Sequence, residues 1–206
     1  MIPLDTLATF VAASLALCIA PGPDNLFVLA QSAAHGKRAG LLVTLGLCSG
    51  LMVHTTAVAL GVAIIFQTSP IAFTTLKFLG AVYLLYLAWQ AFKSSSAKLS
   101  NGENNRLSAA QLYQRGIIMN LTNPKVSIFF LAFLPQFTDP AQGTLTSQLL
   151  LLGALFIVAT LLVFGGIALL AASLGNWLRR SARSQRYLNR FAGGVFVILA
   201  LRLLFI

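Results

Sequence analysis

Between Arg38 and Lys77 the chain carries not one Asp, Glu, Lys or Arg, and between Lys125 and Arg179 it carries only Asp139. No soluble domain can cover itself with runs like these. A helix that crosses roughly 30 Å of hydrocarbon needs about 20 apolar residues. Six stretches meet that need: Leu4 to about Ser32, Leu41 to Phe66, Ile71 to Phe92, Gly116 to Phe137, Leu145 to Ala172 and Leu188 to Phe205. Several are far too long for the strands of an outer-membrane barrel, and none shows strand alternation. Hydrophobic residues make up 58% of the chain and charged ones 9%, against roughly 45–50% and 25% in soluble domains. The expected class is an all-α integral membrane protein with six transmembrane helices and little outside the bilayer.

Charge then sets the orientation. The net charge of +10 would suggest nucleic acid in a soluble chain, but here the cations sit in short gaps between apolar runs, where they report topology. Gap one holds Lys37 and Arg38. Gap three, residues 93–115, holds Lys93, Lys98, Arg106 and Arg115. Gap five holds Arg179, Arg180, Arg183 and Arg186, while gaps two (Gln67 to Pro70) and four (Thr138 to Thr144) hold no Lys or Arg. The positive-inside rule places gaps one, three and five in the cytoplasm and both termini outside, as in a multi-pass inner-membrane protein. No Lys or Arg precedes Lys37, so the positive region of a signal peptide is missing and helix 1 is expected to be retained. Cys18 and Cys48 fall inside spans and read as small packing residues. No spacing resembles a metal site, and no cofactor is implied.

The polar segment 93–114 divides the spans three and three, within a single transporter domain over 1–206. Lys77-Phe-Leu-Gly80-Ala-Val-Tyr83 matches Arg190-Phe-Ala-Gly193-Gly-Val-Phe196, and Phe92 and Phe205 fall at the same offset. Helices 1 and 4 are each interrupted by proline, at Pro21/Pro23 and at Pro124. The expected units are repeat 1 over about 1–92, a cytoplasmic linker over about 93–114 and repeat 2 over about 115–206. Three helices are an odd number, so the second copy enters from the opposite side. Such inverted repeats are typical of secondary transporters. The alternative is chance likeness between two apolar helices rich in Gly, Val and Phe.

The interruptions hold the chemistry. In Ala20-Pro21-Gly22-Pro23-Asp24-Asn25 the prolines remove backbone donors and the glycine loosens the turn, so helix 1 reads as two half-helices. Asp24 then sits in the first turn of the second half, where a carboxylate meets the positive end of the helix dipole. In Asn120-Leu-Thr122-Asn123-Pro124-Lys125, Asn123 reads as an N-cap with proline at the first helical position. A bare helix start beside Lys125 suits an anionic group. Counting in from His35 and Arg115 at about 1.5 Å per residue puts Asp24 and Lys125 near the same depth, close to the bilayer midplane.

Lone charges there cost on the order of 2.5–3.5 kcal/mol. Either the two pair permanently and the prolines only kink packed helices, or the breaks face each other and form a polar site. That site would suit a zwitterion, with its carboxylate at the helix 4 break and Lys125 and its ammonium near Asp24. Asp24 is also a candidate proton carrier. His54 is a second one, though a packed histidine is the plainer reading. Gly46 and Gly50 permit close helix contact. Lys77 and Arg202 are placed to snorkel, and Tyr83, Tyr86 and Trp89 to anchor or pack.

With Ala20-Pro21-Gly22-Pro23-Asp24, Gly80-Ala-Val-Tyr-Leu-Leu-Tyr, Asn120-Leu-Thr-Asn-Pro-Lys125 and Phe133-Leu-Pro-Gln-Phe137, the chain resembles the LysE/RhtB superfamily of bacterial amino-acid exporters over nearly its whole length, closest to the RhtB (homoserine/threonine/leucine) branch. The resemblance implies export of amino acids or their analogues across the inner membrane in exchange for protons. It also implies a six-helix inverted-repeat fold and a homodimer. Substrate binding would fall to Pro21, Gly22, Pro23, Asp24, Asn25, Asn120, Asn123, Pro124 and Lys125. The position after Pro-Gly-Pro is often Asn in that superfamily and is Asp24 here, which brings a charge into the presumed site. The alternatives are export of a cation or other small solute, or an intramembrane enzyme. An enzyme would need a nucleophile–base pair or metal ligands that no spacing supplies.

Overall fold

The computed structural model describes residues 2–93, 107–171 and 182–205. Every regular element among them is helical: α1 (Leu4–Ile19), α2 (Pro23–His35), α3 (Lys37–Thr68), α4 (Pro70–Lys93), α5 (Ala109–Thr122), α6 (Pro124–Ile128), α7 (Leu145–Leu169) and α8 (Ala182–Phe205). Helices satisfy their own backbone groups, which lipid cannot do, so long apolar runs take this form.

Three of the described helices are long and apolar enough to cross a bilayer, within α3, α4 and α7. Two bent pairs qualify as one span each, α1 with α2 and α5 with the segment Pro124–Phe137, which brings the number to five. In α8 the apolar stretch is the shorter Asn189–Leu201. Two boundaries differ by well over a turn from the sequence expectation. The fourth helix starts at Ala109, not Gly116, because Ser108 caps it: its hydroxyl accepts from the Gln111 N–H at 3.2 Å, and the Gln111 side chain accepts from the Ser108 N–H at 2.8 Å. Arg115 is therefore inside α5, over the Phe27 ring at 5.6 Å. The last helix likewise begins at Ala182, before Leu188. Residues 94–106 of the expected linker, with Lys98 and Arg106, lie outside the described residues, as do Arg179, Arg180 and the side chains of Arg183 and Arg202.

The second half of the fourth span also changes pitch. Pro124–Ile128 is α-helical, Phe129–Phe133 widens into a π turn, and Leu134–Phe137 tightens into a 3₁₀ turn. Pro135 has no N–H to give the Leu131 carbonyl, so an α-helix cannot continue unbroken through it. The rings of this segment form an aromatic cluster within the core. Phe10 meets Phe137 at 5.1 Å, Phe129 meets Phe133 at 4.8 Å, and Phe130 meets Phe156 edge-on at 5.1 Å.

Helix α3 lies at the centre, packed along α5 on one side and α7 on another, while α4 runs along α8. The approach of α3 to α5 depends on glycine. A Cβ on Gly46 would collide with the Tyr113 carbonyl and the Gly116 backbone, and one on Gly116 with the Val43 carbonyl. Gly46 of α3 and Gly116 of α5 thus serve close contact within the chain. On the outside, Phe78, Leu79, Val82 and Trp89 of α4 and Leu162 of α7 stand exposed, the pattern of a surface solvated by acyl chains.

Candidate functional site

The first break follows from donor arithmetic. In a continuous helix the Leu17 and Ile19 carbonyls would accept from residues 21 and 23, both proline and both without N–H. The ladder stops at Ile19, Gly22 is fully extended (φ −164°, ψ 177°), and α2 restarts at Pro23 after a bend of 59°. Side chains from elsewhere take over the freed carbonyls. The Lys125 ammonium donates to the Leu17 carbonyl at 3.2 Å and the Ala20 carbonyl at 3.1 Å. The Asn25 amide donates to the Cys18 carbonyl at 2.5 Å. Lys125 presses against Gly22 so closely that a Cβ there would lie 3.1 Å from Nζ. A half-helix carries partial negative charge at this end, and the ammonium answers it.

The second break repeats the logic. Pro124 cannot serve the Asn120 carbonyl, α5 ends at Thr122, and α6 restarts after a bend of 53°. Asn123 caps the restart with its side-chain oxygen, which accepts from the Lys125 N–H at 3.0 Å. Its amide nitrogen reaches across to the first break and donates to Asp24 Oδ2 at 2.9 Å. The freed Asn120 carbonyl accepts from the Asn123 N–H at 3.1 Å and has His54 Nε2 beside it at 3.4 Å. His54 also lies against Phe130, with ring centroids 5.8 Å apart. It is therefore packed and hydrogen-bonded, and it touches the backbone of the break.

The two breaks thus meet. Asp24, Asn25, Asn120 and Asn123 are all buried, Lys125 is partly buried, and Pro21, Pro23 and Pro124 frame them from more exposed positions. Asp24 and Lys125 do not spend their hydrogen bonds on each other. Each is held by the opposite helix. At the two breaks three buried oxygens have no hydrogen-bond partner, Asp24 Oδ1, Asn25 Oδ1 and Asn120 Oδ1, and Gln31 Oε1 further along α2 is a fourth. A buried polar atom left so costs about 1–3 kcal/mol, and acceptors of this kind suit a partner that offers N–H or O–H groups.

Asp24, Asn120 and Lys125 line one small cavity of about 20 Å³, room for about one water. Its remaining walls were not singled out in the sequence. Cys18 and Leu51 contribute, and α7 presents Phe156, Thr160 and Phe164. Those three positions recur at the spacing of one helical face. Both cysteines are buried and in no disulfide, and the Cys18 thiol lies 3.5 Å from the Thr160 hydroxyl. No group of three His, Cys, Asp or Glu side chains forms among the described residues.

Comparison with known proteins fits this geometry. The model of the LysE type translocator family matches residues 15–205. A homoserine/homoserine lactone efflux protein of Salmonella typhimurium is 33% identical over 189 residues, covering 92% of this chain and 91% of the relative. A leucine efflux protein of Enterobacter sp. is 31% identical over 204 residues, covering 95% and 93%. An uncharacterized membrane protein of Vibrio cholerae is 30% identical over 188 residues. No solved structure is significantly similar. Two proline-broken helices meeting at an acid, a base and three asparagines, with family similarity running through both, place this chain in the LysE type translocator family of membrane proteins.

Proposed function

We propose that this protein is a secondary transporter that exports small amino acids, of the homoserine, threonine or leucine type or their analogues, across the inner membrane by exchange with protons. The observation that carries the reading is the pairing of unlike ends at one place. An ammonium sits on the carbonyl end of α1, and a carboxylate with a free oxygen sits at the start of α2. A zwitterion matches both. Its ammonium would take the Leu17 and Ala20 carbonyls with Asp24 Oδ1 and Asn120 Oδ1, while Lys125 turns to its carboxylate. The efflux names of the Salmonella and Enterobacter relatives support the substrate class, and family membership points to a translocator and not an enzyme.

A cavity of about 20 Å³ admits no amino acid, so the geometry corresponds to a closed carrier that opens by movement at the breaks. A proton on Asp24 would cancel its hold on the ammonium and release the substrate outside. The wider arrangement fits this cycle: six crossings, inverted repeats over about 1–92 and 115–206 joined by a cytoplasmic linker at 93–114, and both termini outside. The similar bends of 59° and 53° support the repeat. Export of a simple cation is the weaker reading, because Lys125 opposes a second positive charge lacking a carboxylate of its own.

Growth tests the proposal. Cells expressing the chain should tolerate toxic levels of homoserine, threonine, leucine or their analogues, and preloaded membrane vesicles should lose the label faster when the outside is acid. No added tolerance and no efflux for any amino acid would refute it.

A further inference from the structure

Among the described residues, buried hydroxyls follow a rule that Thr160 breaks. Ser14 donates to the Phe10 carbonyl at 2.7 Å, Ser32 to Val28 at 2.7 Å, Thr44 to Gly40 at 2.9 Å and Thr55 to Leu51 at 2.7 Å. Each turns its hydroxyl back onto its own helix, four residues earlier, which satisfies the group locally. Thr160 is as buried as they are, yet its oxygen faces outward from α7 to the Cys18 thiol at 3.5 Å. A thiol is a weak partner. Both groups line the cavity shared with Asp24 and Lys125, between the apolar walls of Leu51, Phe156 and Phe164.

We propose that Thr160 reads the side chain of the transported amino acid, favouring a short side chain that carries an oxygen over an aliphatic one of the same size. The inference rests on the exporter reading above, which puts the substrate's charged groups on the two breaks. With those ends fixed, the side chain must lie along the α7 face. There the Thr160 hydroxyl is the polar feature among aromatic and aliphatic walls, and it can exchange its thiol contact for a substrate oxygen without loss. Discrimination follows because a methyl leaves the hydroxyl only its weak thiol contact, whereas a substrate oxygen gives it a full hydrogen bond.

Homoserine and norvaline, which differ only by hydroxyl against methyl, make the test. The full-length protein in proteoliposomes is loaded with each in turn, and the ratio of efflux rates is compared between wild type, Thr160→Val and Thr160→Ser. Wild type should favour homoserine, Thr160→Val should lower the homoserine-to-norvaline ratio about tenfold, and Thr160→Ser should restore it. An unchanged ratio in Thr160→Val overturns the inference. If that variant fails to insert, Cys18→Ala takes its place. It removes the hydroxyl's protein partner and should raise the ratio, and no rise overturns the inference equally. Wild type that moves no amino acid at all defeats the exporter reading instead, so the two failures are distinct.

Discussion

One Asp24 oxygen accepts from the Asn123 amide and the other has no partner, so charge and shape can be separated at this residue. Asp24→Asn keeps an acceptor for Asn123 and nearly the same volume, and the protein should insert normally. Net efflux should fall about ten- to a hundredfold, the range for losing a charge-assisted bond. What remains should no longer quicken when the outside is made acid. The measurement is efflux from proteoliposomes with and without an imposed pH gradient. An unchanged response to pH would remove Asp24 from proton coupling. That Asp24, Asn123 and Lys125 would need partners was legible in the sequence, since polar groups deep in apolar runs need them wherever the chain folds. Their actual partners were not. That Lys125 would lie on the Leu17 and Ala20 carbonyls depends on how two distant helices cross.

Elements were legible to the extent that local chemistry decides them. Proline removes a donor in any tertiary setting, so both breaks could be read from Pro21, Pro23 and Pro124. The start of α5 was missed for the opposite reason. Apolar runs reveal where lipid contact begins, whereas the helix begins with Ser108-Ala-Ala-Gln111, a capping box in polar sequence. The face of α7 with Phe156, Thr160 and Phe164 gave no signal, because a helix apolar all round shows no contrast between a cavity wall and a lipid wall. Helix spacing also predicts a consequence for the site. A Cβ on Gly50 would lie 2.6 Å from Asn120 Oδ1 and 2.7 Å from Asn120 Cβ. Gly50→Ala should therefore push Asn120 out of place, at about 1–3 kcal/mol in stability. Transport should drop about tenfold while insertion persists. Thermal unfolding in detergent and efflux, measured together, check this.

At the scale of the molecule, α3 at the centre and α4 against α8 leave apolar faces outward on several sides, as a bilayer requires. The orientation proposed from Lys37, Arg38, Lys93 and Arg115 is open to direct measurement. Alkaline phosphatase fused after Ile206 should be active and green fluorescent protein dark at the same position. Fusions in the segment 94–106 should give the reverse. A cytoplasmic C-terminus would overturn this orientation.

The resting place of Lys125 bears on whether such a carrier must trade one substrate for another or can return alone. The Leu17 and Ala20 carbonyls freed at the first break would be stranded each time cargo left, and a stranded carrier would wait for new cargo before resetting. The lysine is tethered and carries the same primary ammonium as the cargo, so it can take the vacated place and let the empty protein swing back. Lys125→Ala should then lose net efflux about tenfold or more, while exchange of labelled for unlabelled amino acid falls less. Equal loss of both would mean the lysine serves binding alone.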